Sequence, residues 1–217
     1  INKIELYDLE HGFIMIPNAF PYLENHFLIT VDEHKTQFEI LNNSSIELLN
    51  NIKFLLSNNP SSVIFFNGMC GNSLEHFHCQ ITTTQLPIFN HVPSNDGLID
   101  TNGFRGWFIN FHYTDDTKFN DMIKKLEHKS YNFIINLHDE HYQCIFFIRN
   151  NCEKVVPNLN FGSTELAGII GSNKDDFPTK DDIEKYLEET NNISNYNFLD
   201  KGAIKKRRNK KKKSKKG

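Results

Sequence analysis

Short apolar runs separated by turn residues constrain the fold of this chain more than any other feature. In the first half they span residues 4–9, 13–16, 26–31, 61–66 and 75–83. Runs of this length, bounded by Gly, Pro and Asn, are typical of β-strands joined by turns. Residues 36–57 differ, because their apolar side chains recur at spacings of three and four and predict a single amphipathic helix.

The second half of the chain loosely repeats this order. We predict strands at 107–113, 131–137 and 142–149, helices at 118–128, 164–170 and 179–190, and a loop over 87–103. The two strands around residues 138–141 read as a hairpin. The order of elements therefore indicates an α+β fold with mostly antiparallel strands.

Charge divides the chain into two unlike parts. Residues 201–217 hold 11 of the 24 Lys and Arg residues and no acid, which leaves 13 basic against 27 acidic residues, a net −14, in the rest. The run from Lys205 to Lys216 cannot bury apolar surface and repels itself, so we predict a disordered basic tail. It contains no aromatic residue and fits a nuclear import signal, a sequence-independent nucleic-acid contact, or solubilisation of an acidic body.

Composition excludes several classes of protein. Apolar residues make up 38% and aromatic residues 12%, which is too much for a disordered chain. Four scattered cysteines without a CxxC pair fit neither a disulfide framework nor a zinc site, and they indicate a reducing compartment. No apolar run approaches about 18 residues and no signal-peptide pattern is present, so we predict a cytoplasmic or nuclear protein with no membrane partner. Because the chain begins at Ile1, we expect further residues upstream.

The stretch of residues 65–81 carries most of the chemistry. On an extended strand alternate side chains share a face, so His76, His78 and Gln80 line one surface while the residues between them face a core. A turn with two glycines precedes them, and its backbone N–H groups can converge on an anion such as phosphate. This arrangement predicts a phosphate-binding site.

A histidine in such a place can act as a nucleophile toward phosphorus. His78 would attack the phosphorus atom while a backbone carbonyl held its second ring nitrogen, and a covalent phosphoramidate would result. Gln80 would donate its amide to a phosphoryl oxygen. The two histidines taken alone also fit a solvated polar sheet face or a pair of metal ligands.

Two longer motifs resemble a known family. The first consists of Asn67-Gly68, Gly71, Ser73 and His76-x-His78-x-Gln80, and the second of Asn18-x-Phe20-Pro21, His26-Phe-Leu-Ile29 and Glu33-His34. Together they resemble the nucleotidyltransferase branch of the histidine-triad (HIT) superfamily, in which Gln replaces the third His. This branch includes galactose-1-phosphate uridylyltransferase, diadenosine tetraphosphate phosphorylase and the GDP-hexose phosphorylases. Residues 131–149 and 162–168 resemble the second half of the phosphorylases, so the likeness covers about residues 4–190.

The resemblance implies an architecture. It is a HIT-like antiparallel sheet with a long helix, plus a second, smaller sheet-and-helix half. We place the HIT-like half with the HxHxQ motif at residues 1–95, the second half at 104–200 and the basic tail at 201–217.

The resemblance also implies site residues. His78 matches the nucleophile, His76 the residue whose carbonyl orients it, and Gln80 the contact to the transferred phosphate. Nucleotide-binding positions are implied at Asn67, Gly71 and Ser73 in the phosphate-side turn, at Asn18 for the ribose, and at Ile16 and Phe20 for the wall of the base pocket. Phe20 also fits a plain core residue.

Some positions depart from the family pattern or lie outside it. Small residues are usual where Cys70 and Asn72 stand, and Gly is frequent at the position of Asn25, so the fit of the substrate is less certain than the nucleophile. Arg149, at the end of a strand, is a candidate for phosphate or carboxylate binding, although a surface ion pair is the more ordinary role.

The sequence therefore favours a nucleotidyltransferase of the phosphorylase type. It would move a nucleoside monophosphate from a nucleotide sugar or dinucleoside polyphosphate to inorganic phosphate, with no cofactor except Mg²⁺ as a companion of the nucleotide. The alternatives are a hydrolase of nucleotide or RNA-cap-like pyrophosphates, and a non-catalytic nucleotide- or RNA-binding module. Base, sugar, acceptor and oligomeric state are not specified by the sequence.

Overall fold

A nine-stranded antiparallel sheet forms the centre of the molecule in a computed structural model that describes residues 7–68, 76–101, 104–149, 161–169 and 178–190. Its strand order is β1-β2-β3-β5-β4-β8-β9-β7-β6. The strands are β1 (Tyr7–Asp8), β2 (Phe13–Pro17), β3 (Phe27–Val31), β4 (Val63–Phe66), β5 (His78–Thr82), β6 (Gly97–Thr101), β7 (Phe104–His112), β8 (Ser130–His138) and β9 (His141–Arg149). The predicted α+β class with antiparallel strands is confirmed.

Helices cover both faces of the sheet. They are α1 (Gln37–Asn43), α2 (Ser45–Asn58), α3 (Thr117–Lys125), α4 (Ser163–Leu166) and α5 (Lys180–Thr190). Neighbouring residues of one strand enter different apolar clusters: Phe66 packs with α1, α2 and α3, whereas Phe65 packs with α4 and α5. This alternation follows from the pleat of the strands and explains why β4 is apolar at every position.

The helix predicted over residues 36–57 is in fact two helices. A capping box between Thr36 and Glu39 begins α1, and the chain leaves helical geometry at Ser44, which has φ −136° and ψ 27°. Asn and Ser side chains compete for backbone hydrogen bonds, so the cluster Asn42-Asn43-Ser44-Ser45 interrupts the apolar periodicity. The single long helix of the sequence prediction is therefore wrong.

The predicted loop over residues 87–103 is also wrong in part. It contains a 3₁₀ turn at Pro87–His91 and strand β6, which pairs with β7 at the edge of the sheet. The short segment Gly97–Thr101 has little apolar alternation of its own, so pairing with a neighbour, and not local propensity, makes it a strand.

The two halves of the chain contribute to one sheet. Strand β4 from the first half pairs with β8 from the second, in a register that matches Phe66 with Phe133. Hairpin β8–β9 turns at Asp139 and Glu140, whose φ angles of 47° and 63° fit a two-residue turn. The division into units 1–95 and 104–200 stays a prediction, and the tail at 201–217 lies outside the described residues.

Candidate active site

Strand β5 carries the predicted catalytic residues and lies between β3 and β4. Phe77, Cys79 and Ile81 are buried in the cluster beneath α1 and α2, as the alternation predicted. His78 is half-buried and pairs with Thr30 of β3, while Gln80 is buried and pairs with Leu28 and Phe65. The polar residues of the motif thus share the face opposite α1 and α2.

A single contact fixes the ring of His78. Its Nδ1 lies 3.0 Å from the backbone carbonyl oxygen of His76. A carbonyl oxygen only accepts, so Nδ1 carries the proton and Nε2 of the neutral ring keeps its lone pair. His78 is therefore held in the tautomer that a nucleophile requires.

Gln80 is held from behind by His26, a residue for which the sequence suggested no role of its own. His26 Nε2 lies 2.7 Å from Gln80 Oε1, and the His26 side chain is only 5% exposed. The Tyr22 backbone N–H and Asn18 Nδ2 face Nδ1 of His26 at 3.5 and 3.4 Å, so Nδ1 accepts and Nε2 donates to Gln80. This leaves the amide N–H₂ of Gln80 as the free donor.

Burial also keeps His26 neutral. Desolvation lowers the pKa of His26 and outweighs the hydrogen bond to Gln80, which raises it. A charged His26 would place an Nδ1–H against the donors of Tyr22 and Asn18. The neutral form is therefore the one that fits both partners.

His76 contacts two further side chains on its far side. Its Nε2 lies 2.7 Å from Thr30 Oγ1, and its Nδ1 lies 3.2 Å from His34 Nδ1. Burial, together with the neighbouring His34 and His78, lowers the pKa of His76, although a backbone hydrogen bond with Val31 raises it. The His76 side chain therefore belongs to a hydrogen-bonded chain and is not freely solvated.

The predicted phosphate-side turn is described only at its beginning. Asn67 Oδ1 accepts from the backbone N–H of Ser163 at 2.7 Å, and Gly68 N–H donates to Asn132 Oδ1 at 2.9 Å. A Cβ at Gly68 would lie 2.1 Å from the carbonyl oxygen of Tyr131, so only glycine fits there. Gly71 and Ser73, with the atypical Cys70 and Asn72, lie outside the described residues.

The predicted nucleotide pocket residues lie on β2 and the loop that follows it. Ile16 is half-buried, and Asn18 Oδ1 accepts from the backbone N–H of Phe20 at 3.0 Å. Phe20 is 85% exposed, so it is not a core residue. Asn25, where the family often has Gly, has a φ of 48°, a left-handed conformation that Asn tolerates better than most residues.

Arg149 has neither of the roles considered for it. It is buried, and its guanidinium donates to the carbonyl oxygen of Phe161 and to the hydroxyl of Tyr186, whose ring also lies against it. Both partners belong to the segment that follows β9. Arg149 therefore holds this segment on the sheet and is neither a surface ion pair nor a free phosphate ligand.

Searches for metal and membrane features were negative for the described part of the chain. In the five described ranges no three His, Cys, Asp or Glu side chains converge on a point where a metal ion would fit. None of the helices in those ranges is both long and apolar enough to cross a bilayer.

Comparisons with known proteins link the fold to solved structures. No family model matches the chain, and no curated protein matches it in sequence. The fold belongs to the HIT-like nucleotidyltransferase class that the two motifs predicted. Within that class, the chain is similar to yeast Ap4A phosphorylase Apa2, with a TM-score of 0.56 to the crystal structure with AMP and 19% identity, over 84% of this chain and 70% of that chain. A second structure of the same yeast enzyme gives a TM-score of 0.57 at 19% identity, over 84% and 69% of the two chains.

Proposed function

We propose that the chain is a nucleotidyltransferase of the phosphorylase type that uses His78 as its covalent nucleophile. The observation that carries this proposal is the contact of 3.0 Å between His78 Nδ1 and the carbonyl oxygen of His76, which leaves the Nε2 lone pair available. The likeness in fold to yeast Ap4A phosphorylase supports the same class of chemistry.

The reaction proceeds in two displacements. The Nε2 lone pair attacks the α-phosphorus of the donor, a P–N bond forms, and the P–O bond to the leaving phosphate or sugar phosphate breaks. An oxygen of inorganic phosphate then attacks the same phosphorus and the P–N bond breaks, which returns neutral His78 and releases a nucleoside diphosphate. Dividing one difficult transfer into two steps is the benefit of a covalent intermediate.

Gln80 supports both displacements. Because His26 donates to its carbonyl oxygen, its N–H₂ group can donate to a phosphoryl oxygen without any proton exchange. Phe20 and Ile16 would form the apolar wall against the base, and Asn18 would lie next to the ribose. Gly71 and Ser73 would complete the phosphate site.

The first donor to test is a dinucleoside polyphosphate, because the yeast enzyme of similar fold is an Ap4A phosphorylase solved with AMP. Nucleotide sugars form the second group. Inorganic phosphate is the acceptor in both, and Mg²⁺ enters only with the nucleotide.

The test is covalent labelling with a donor that carries ³²P at its α-phosphate. We expect label on the protein that is lost in acid and stable in alkali, as a phosphoramidate should be, and no label on His78→Ala. His128→Ala is the matched control, because His128 is an exposed histidine outside the site. Equal labelling of His78→Ala would contradict the mechanism, and binding without label or turnover would indicate the non-catalytic alternative.

A further inference from the structure

Three side chains form a hydrogen-bonded chain behind the nucleophile: Thr30 on β3, His76 before β5, and His34 after β3. The rings of His34 and His76 stack with centroids 5.2 Å apart and an angle of 27° between their planes. Their Nδ1 atoms are 3.2 Å apart, and the Nε2 of His76 is 2.7 Å from Thr30 Oγ1. None of the three has a role in the proposed displacement steps.

The direction of each hydrogen bond follows from the single proton of a hydroxyl. Thr30 Oγ1 donates to the carbonyl oxygen of Phe77 at 2.7 Å, so it must accept from His76. Nε2 of His76 therefore carries the proton. Nδ1 of the neutral His76 ring is then the acceptor, and His34 donates to it from Nδ1.

This chain acts on the peptide segment that orients His78. Thr30 holds the carbonyl of Phe77 and the ring of His76, while the carbonyl of His76 accepts from Nδ1 of His78. The backbone alone holds the segment less completely, through an isolated bridge between Thr36 and His76 and a bond from Phe77 N–H to the carbonyl of Lys35.

We propose that Thr30 is a positioning residue for His78, acting through His76, and that His34 supports it from the other side of the His76 ring. The Thr30 hydroxyl selects the Nε2–H tautomer of His76 and thereby fixes the carbonyl that keeps His78 in its Nδ1–H tautomer. The kinetic half of this inference rests on the proposed function; the tautomer of His78 does not.

The experiment compares Thr30→Val, which keeps the shape of the side chain and removes the hydroxyl, with Thr30→Ser, which keeps the hydroxyl. A second pair compares His34→Ala with His34→Asn, since the Asn side-chain amide can donate from a position near that of Nδ1. His34 lies at the surface, so this pair remains informative if Thr30→Val fails to fold. His128→Ala is again the control.

The first measurement is the tautomer of His78 by long-range ¹H–¹⁵N spectra of the full chain in the neutral form. We expect wild type, Thr30→Ser, His34→Asn and His128→Ala to show the Nδ1–H form, and Thr30→Val and His34→Ala to show a mixture with the Nε2–H form. A His78 that stays in the Nδ1–H form in both hydroxyl-free and imidazole-free variants overturns the inference, whether or not the protein proves to be a transferase.

The second measurement is the rate of label formation with the donor that labels wild type. We expect Thr30→Val to lower this rate about tenfold with unchanged KM, because a nucleophile that samples the wrong orientation loses reactive encounters but not substrate contacts. Thr30→Ser should restore the rate. A higher KM at an unchanged rate, or a Ser variant as slow as the Val variant, overturns the positioning role.

Discussion

Across the junction of β3 and β5, Nε2 of His26 lies 2.7 Å from Oε1 of Gln80. The two residues are 54 positions apart, and the contact exists because the register places Leu28 opposite Gln80. Since the carbonyl end of the amide is occupied by a buried donor, the N–H₂ end is the one offered to a ligand. His26 thus determines what Gln80 can do.

Gln80→His is expected to raise the ratio of hydrolysis to phosphorolysis. A neutral amide holds phosphoryl oxygens but exchanges no proton, whereas an imidazole can deprotonate water or protonate a leaving group. The measurement is product chromatography with labelled donor at fixed phosphate. Gln85→His, at an exposed position, is the control, and an equal ratio in wild type and Gln80→His would contradict this role.

His26 makes the stability of the fold depend on pH in the weakly acidic range. Its pKa is lowered by burial in the folded protein, so below about pH 6.5 the unfolded chain binds a proton that the folded chain does not. Its contribution is therefore complete above about pH 6.5 and is lost as the pH falls through the lowered pKa of the folded state. Urea unfolding from pH 7.5 to 5 should show this slope, and His26→Gln should reduce it; an equal slope in the variant would rule out His26 as its source.

Phe20→Ala should weaken nucleotide binding without changing stability. The side chain is 85% exposed, so little apolar burial is lost on truncation, and the free energy of unfolding should change by less than about 0.5 kcal/mol. Loss of a stacking partner for the base should raise KM about tenfold. Phe38→Ala, at another exposed phenylalanine on α1, should leave KM unchanged. An unaltered KM for Phe20→Ala would remove Phe20 from the pocket.

Arg149→Met should destabilise the fold by about 3 kcal/mol, because it leaves the buried carbonyl of Phe161 and the hydroxyl of Tyr186 without their charged donor. Chemical denaturation measures this, with the exposed Lys129→Met as the control. A stable variant that has lost only phosphate affinity would restore the ligand role that the structure argues against.

Removing residues 201–217 should separate catalysis from nucleic-acid binding. The tail carries a charge of +11 and lies beyond the region that resembles the enzyme family. A chain that ends at Asp200 should keep turnover on small nucleotides and lose affinity for single-stranded RNA. In the full chain that affinity should fall with salt, with a log–log slope of roughly −0.7 for each phosphate neutralised. RNA affinity that is indifferent to both truncation and salt would disprove this function of the tail.

Alternation and turn residues were sufficient to predict most of the strands, because each run of apolar residues depends on its own sequence. The break at Ser44 and strand β6 were missed, since the first depends on a local competition for hydrogen bonds and the second on a neighbour in the sheet. The same distinction holds at the site. The alternation of β5 predicted which residues face the core, whereas the contacts of His26 and Thr30 depend on register between strands that are distant in the chain.

The shared sheet also has a consequence for biosynthesis. Val63–Phe66 is apolar and fully buried, but its partner on one side, Phe133 to Asn136, is made about 70 residues later. While the ribosome completes that distance, β4 presents an unpaired, aggregation-prone edge that only the β8–β9 hairpin can close. A nascent chain released before β8 emerges is therefore expected to require a chaperone, and fragments cut between the two halves are expected to precipitate.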